Sequence, residues 1–125
     1  MKPLDVVVAL IFREGRLFLQ RRDPRDRAFP GCWELPGGKM EAGESAEAAL
    51  FRELEEELRW TPEQAVPGTP FLFTYADRAV RLQPFKCAGS GLLHSPRAWG
   101  WFRPAEVRKL TLPAATLALL DALGE

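Results

Sequence analysis

Two runs near the start of the chain, "DVVVALIF" and "RLFLQ", are dominated by apolar and β-branched residues, and the residues between them include Glu14 and Gly15. This alternation of apolar run, polar break and apolar run predicts a β-hairpin turning at Gly15. Residues 23–32, "DPRDRAFPGC", are polar and carry two prolines, so they read as a loop, and "WELPGG" reads as a short extended stretch closed by a diglycine turn. From Ser45 the period changes. Ala46, Ala49, Leu50, Leu54 and Leu58 recur at helical spacing among strong helix formers, which predicts a helix over 45–58 with one apolar face and Ser45 as its N-cap.

After this helix, "TPEQAVPGTP" reads as a Pro-rich connector. "FLFTYA" and "AVRLQPFKCA" flank Asp77-Arg78 as a second hairpin, and Pro84 puts its second strand at an edge or bulge. "GSGLLHSPRA" reads as a mobile loop and "WGWF" as a short strand, while "PAEVRKL" and "PAATLALLDAL" read as helices with proline in the first turn. Strands before, between and after helices predict an α/β fold, a mixed sheet covered by helices on both sides. At 125 residues, one domain spanning 1–125 is expected.

Seventeen basic residues balance seventeen acidic ones, so the chain has no global field for a nucleic-acid polymer or an anionic membrane. The apolar run Val6 to Phe12 is too short to span a bilayer and stops at Arg13-Glu14. Cys32 and Cys87 lack C-x-x-C spacing and are expected to be reduced, and the chain is read as cytoplasmic.

Charge is nevertheless concentrated locally, because residues 37–58 hold seven glutamates and two basic residues. Positions three and four apart share a helix face, so Glu53, Glu56 and Glu57 fall on one patch, joined by Glu44 from the preceding loop. Alone, such a run reads as a solvated helix face. Hard divalent cations with oxygen ligands also suit it, and magnesium is commonly held by few carboxylates while substrate phosphates complete its shell. Gly37 and Gly38 let the backbone approach metal and phosphate closely, and Gly43 permits a tight entry to the helix.

The spacing decides between the two. Gly38, five residues, Glu44, seven residues, Arg52-Glu53-Leu54, one residue and Glu56-Glu57 resembles the signature of the Nudix hydrolases. The resemblance implies a Nudix-type α/β/α sandwich with a mixed β-sheet. It implies a hydrolase of nucleoside diphosphates linked to a group X that requires Mg2+ or Mn2+, the ions bridging carboxylates and phosphates and activating water for in-line attack. By the same resemblance Glu53, Glu56 and Glu57 are metal ligands, with the Gly37 carbonyl as a further one, while Arg52 and Glu44 orient Glu53. The signature's glycine after the glutamates is Arg59 here. A left-handed helix end costs arginine about 1 to 2 kcal/mol, so the helix is expected to run on or to end differently.

The rest of the chain resembles the MutT-type branch, nucleoside triphosphate pyrophosphohydrolases that release monophosphate and pyrophosphate. The matching stretches are "WELPGG", Arg21-Arg22, "ADR" at 76–78, Trp101 and "LPA" at 112–114. By resemblance, Arg22 is a candidate phosphate contact and Arg78 a contact to the base or to the loop over it, while Phe29, Trp33, Leu35 and Tyr75 are candidates for a base pocket. Two departures bear on the substrate. Where the branch carries Asn or Asp to read the base, this chain has Ala115, with Thr116 as the nearest polar neighbour, which predicts weak selectivity for an oxidised guanine. The glutamate that related sequences place before the Trp strand is also absent, since no acid lies between Asp77 and Glu106, leaving Glu56, Glu57, metal-activated hydroxide or His94 as base. A small-molecule nucleotide is the expected partner, and the chain a monomer or homodimer. Hydrolysis of a dinucleoside polyphosphate or nucleotide sugar, and a non-catalytic nucleotide-binding module, remain open readings.

Overall fold

In the computed structural model, which describes residues 2–125, β1 (Leu4–Arg13) is buried on both faces. Its odd positions Val7, Ala9 and Ile11 pack with Leu50, Leu54 and Leu58 of α1 (Ala46–Leu58), whereas Val8 and Leu10 pack with Leu119 and Leu120 of α3 (Ala114–Leu123). A strand alternates its side chains between faces, so one continuous apolar run feeds two cores, and helices lie on both sides of the sheet. That is the expected α/β/α sandwich.

The first hairpin joins β1 to β2 (Arg16–Arg21), with Glu14 and Gly15 both at positive φ, the backbone a two-residue turn requires. β3 (Trp33–Glu34) and β8 (Trp99–Phe102) pair with β2, and β4 (Gly37–Lys39) pairs antiparallel with β1. β7 (Ala79–Ala88) runs parallel to β1, which makes the sheet mixed, and its other edge is shared by β5 (Gln64–Pro67) and β6 (Phe71–Thr74). The short α2 (Pro104–Val107) precedes α3. Among the described residues no helix is long and apolar enough to cross a membrane. Cys32 and Cys87 are free and buried, and burial pushes the Cys87 thiol up to about 12.

Several local expectations are corrected. Gly37 and Gly38 form a strand and not a turn, and the Pro-rich connector contains β5. β7 is an interior strand. Pro84 is tolerated where its neighbour changes from β6 to β5, and its carbonyl accepts from Gly68 N–H at 2.9 Å. The 89–98 loop is tied down: His94 N–H donates to Leu58 O, the Trp60 indole N–H to Ser90 O, and the Arg13 guanidinium to the carbonyls of Gly89 and Gly91.

α1 ends as the signature glycine would end it. Arg59 is the C-cap at φ 50°, ψ 43°, and its N–H donates to Glu55 O at 3.0 Å. The left-handed conformation costs arginine about 1 to 2 kcal/mol, against about 0.5 to 1 kcal/mol of extra backbone entropy for glycine. An Arg59→Gly variant is therefore expected to gain up to about 1.5 kcal/mol, read as a raised urea midpoint with unchanged m. A lowered midpoint would show that the arginine side chain contributes more than its backbone costs.

Candidate functional site

Ser45 starts α1 by accepting Ala48 N–H at 3.1 Å, and the helix then carries its acids along the edge of β4. β4 pairs with β1 through Gly38, so Gly37 and Lys39 turn their polar groups away from β1 towards α1. Gly37 N–H donates to Glu57 Oε2 at 2.8 Å, and Lys39 O accepts from Arg52 at 3.1 Å. The glycines are required sterically. A Cβ on Gly37, whose φ is 149°, would stand 2.0 Å from Val7 O, and one on Gly38 would stand 2.6 Å from the Glu53 carboxylate.

Arg52 organises the acidic cluster. Its guanidinium grips Glu44 through two bonds of 2.7 and 3.0 Å, donates to Glu53 Oε1 at 2.9 Å, and reaches Glu56 at 3.4 Å and Glu41 at 3.3 Å. These bonds hold the Glu44 carboxyl down to about 2, helped by Glu41 N–H, and raise the pKa of Arg52. Glu57 faces the other way, away from Arg52. Its Oε1 accepts from Gln20 Nε2 at 3.2 Å and from Arg97 at 3.3 Å, and burial pushes its carboxyl up to about 7 against the pull of Gly37 N–H and Arg97.

Three carboxylates and a backbone carbonyl are hard oxygen donors, the set a magnesium or manganese ion takes. As the side chains stand, no group of three ligating side chains among the described residues encloses one point. Glu53 and Glu57 are both held against β4. Glu56 is exposed and bonded only to Arg52, so it is the side chain that would have to turn to complete such a set.

A cavity of about 630 Å³ opens beside Glu57. The substrate-pocket candidates Arg22, Phe29, Leu35, Tyr75, Arg78 and Ala115 all line it, as do Gly37 and Glu57. Trp33 does not. It packs edge-on against Phe102 at 5.1 Å. Arg52, Glu44, Glu53 and Glu56 do not line the cavity either. At the other end Arg78 lies over the rings of Phe29 (5.3 Å) and Tyr75 (5.4 Å), and Tyr75 Oη accepts Ala115 N–H at 3.0 Å. Arg22 is engaged with Ala28 O at 2.8 Å and Glu34 at 3.2 Å. His94 contributes its backbone to the end of α1.

Sequence reasoning missed Gln20, Glu34, Lys39 and Arg97. Gln20 is fully buried, a polar residue at the end of the apolar run "RLFLQ", which was the available signal. Arg97 is the only Lys, Arg, Asp or Glu of the 89–98 loop, and it donates to Glu34 at 2.8 Å as well as to Glu57.

Comparison with known proteins gives a consistent result. A family model described as NUDIX domain matches residues 1–122. The chain is 33% identical to the CTP pyrophosphohydrolase of Escherichia coli K12, covering 98% of this chain and 92% of that protein. It is 38% identical to the nucleoside triphosphatase NudI of Salmonella arizonae, with 99% of each covered. Among solved structures, the crystal structure of a MutT NUDIX hydrolase from Burkholderia pseudomallei superposes with a TM-score of 0.85 at 29% identity, over 97% of this chain and 98% of that one.

Proposed function

The chain belongs to the NUDIX family of hydrolases, and from that premise we propose that it is a magnesium- or manganese-dependent pyrophosphohydrolase that converts nucleoside triphosphates to monophosphate and pyrophosphate. The observation that carries the reading is the cavity of about 630 Å³, with Glu57 and the β4 glycines at one end and the Phe29–Tyr75–Arg78 stack at the other. Its size and two-ended chemistry suit one nucleotide, the base among the rings and the phosphates at the carboxylates. The names of the two curated relatives support the same substrate class.

Glu53, Glu56, Glu57 and the Gly37 carbonyl would hold the metal, which when bound neutralises phosphate charge and activates water for attack on phosphorus. Arg52 and Glu44 keep Glu53 aimed at β4. With no acid in the 89–98 loop, a helix carboxylate, Glu56 or Glu57, would be the acceptor for the water's proton, and of the two Glu57 lines the cavity. Arg22, the first residue after β2, offers a phosphate contact, and Arg78 covers the base.

A screen with magnesium, covering ordinary and oxidised nucleoside triphosphates, dinucleoside polyphosphates and ADP-ribose, tests the reading. Pyrophosphate release from triphosphates is expected. Activity confined to the other two classes would overturn the triphosphate assignment while leaving the family intact. Ala115 is buried in the wall and brings no polar side chain to the base, so selectivity for an oxidised over a normal guanine triphosphate is expected to be about 10² or less. Ala115→Asn should raise that ratio about tenfold in kcat/KM. A wild-type ratio above about 10⁴ would mean that another buried group reads the base.

A further inference from the structure

Arg97 enters the cavity from a loop whose backbone is fixed on both sides of it. Ser95 Oγ donates to Gln20 Oε1 at 2.9 Å and accepts Arg97 N–H at 3.2 Å, and Ala98 O accepts from Arg21 N–H at 2.8 Å. The Arg97 side chain can therefore change partners without movement of its backbone. One of its terminal nitrogens donates to Glu34 Oε1 at 2.8 Å and the other to Glu57 Oε1 at 3.3 Å. Glu34 also binds Arg22 at 3.2 Å through its other oxygen, so one carboxylate yokes two arginines to the cavity wall. Glu57 Oε1 is thus taken by a guanidinium while Oε2 is taken by Gly37 N–H.

We infer that Arg97 is a placeholder for the divalent cation: it holds Glu57 towards the cavity, competes with the cation for Glu57 Oε1, and passes to the polyphosphate of the nucleotide once the cation has displaced it. This rests on the reading of Glu57 as a metal ligand and of a triphosphate as substrate. The chemistry suits the exchange. A guanidinium leaving one carboxylate oxygen keeps a planar fork of donors that fits phosphate oxygens, and the shorter bond to Glu34 keeps it on the wall as it turns. A cation at Glu57 would repel the guanidinium and negative phosphates would attract it, so both would push in one direction.

The inference predicts shifts of opposite sign. In Arg97→Ala, Mn2+ binding to the nucleotide-free protein, followed by calorimetry, is expected to tighten about three- to tenfold, because the competitor for Glu57 is gone. Binding of an α,β-methylene nucleoside triphosphate in the presence of magnesium is expected to weaken about tenfold or more. Lysine cannot span Glu34 and Glu57 together, so Arg97→Lys should move both affinities in the same directions by smaller factors, and it carries the test if the alanine variant melts below the assay temperature. A side chain that merely anchors the loop would weaken both affinities or neither. Unchanged or weaker Mn2+ binding in a folded variant overturns the inference. Triphosphate turnover by the wild type is measured alongside. If it is present, such a result counts against Arg97 alone; if it is absent, the proposed function itself fails.

Discussion

A Glu53→Gln variant is expected to keep its fold and to lose about three orders of magnitude or more in kcat, because a carboxamide preserves the shape of the proposed metal ligand while removing its charge. The amide oxygen can still accept from Arg52 and fits the space that Gly38 leaves by lacking a Cβ. Glu56→Gln is expected to behave in the same way, although Glu56 is exposed and bonded only to Arg52, because under the proposed function it would complete the ligand set once metal binds. Glu55→Gln is the control. Glu55 belongs to the same acidic run but contributes to none of the site's bonds through its side chain, so its variant should retain full turnover. This set separates a metal cage from a solvated acidic helix, for which all three substitutions would be equally silent. Wild-type kcat in Glu53→Gln or Glu56→Gln, at saturating substrate and limiting magnesium, would remove the assignment.

What was legible in the sequence was local. The first hairpin follows from two apolar runs around Glu14-Gly15, and α1 follows from Ser45 and a leucine spacing that the structure buries residue for residue at Ala49, Leu50, Leu54 and Leu58. The parts that escaped depend on neighbours distant in sequence. Gly37-Gly38 looks like a turn until β1 lies beside it, and Pro84 looks like an edge until the change from β6 to β5 leaves no partner needing its missing N–H. Arg59 was expected to alter the helix end, yet tertiary packing of α1 tolerates the left-handed residue. Six of the seven pocket candidates line one cavity, Trp33 being the exception, because the resemblance carried three-dimensional information that spacing alone lacks. Arg97 escaped because its partners, Glu34 and Glu57, lie 63 and 40 residues away and nothing local marks the pairing.

Without a divalent cation, the protein should lose up to about 3 kcal/mol of stability as pH rises from about 5 to about 8, with Glu57 responsible. Burial pushes its carboxyl from 4.5 up to about 7, with Gly37 N–H and Arg97 pulling it down and Glu34 and Glu53 pushing it further up. The folded state therefore keeps the proton longer than the unfolded chain. The stability this contributes is fully present below pH 4.5 and is lost as pH rises through about 7. Glu44 acts in a separate window. Arg52 holds it down to about 2, so its contribution is present above pH 4.5 and lost as pH falls towards 2, and it cannot mask the effect of Glu57. Under the proposed function a divalent cation would bind the ionised carboxylate of the folded state, and so restore most stability where the proton has gone. The rise in Tm produced by millimolar magnesium should be small near pH 5, grow with pH, and level off above about 7. Glu57→Gln should flatten the metal-free profile and remove most of the magnesium increment, since it abolishes both the titrating group and a proposed ligand. The measurement is urea and thermal unfolding across this pH range, in chelator and in magnesium. A metal-free stability that rises over the range, or a magnesium increment equal at both ends, would show that Glu57 is ionised throughout and that its burial does not govern the site.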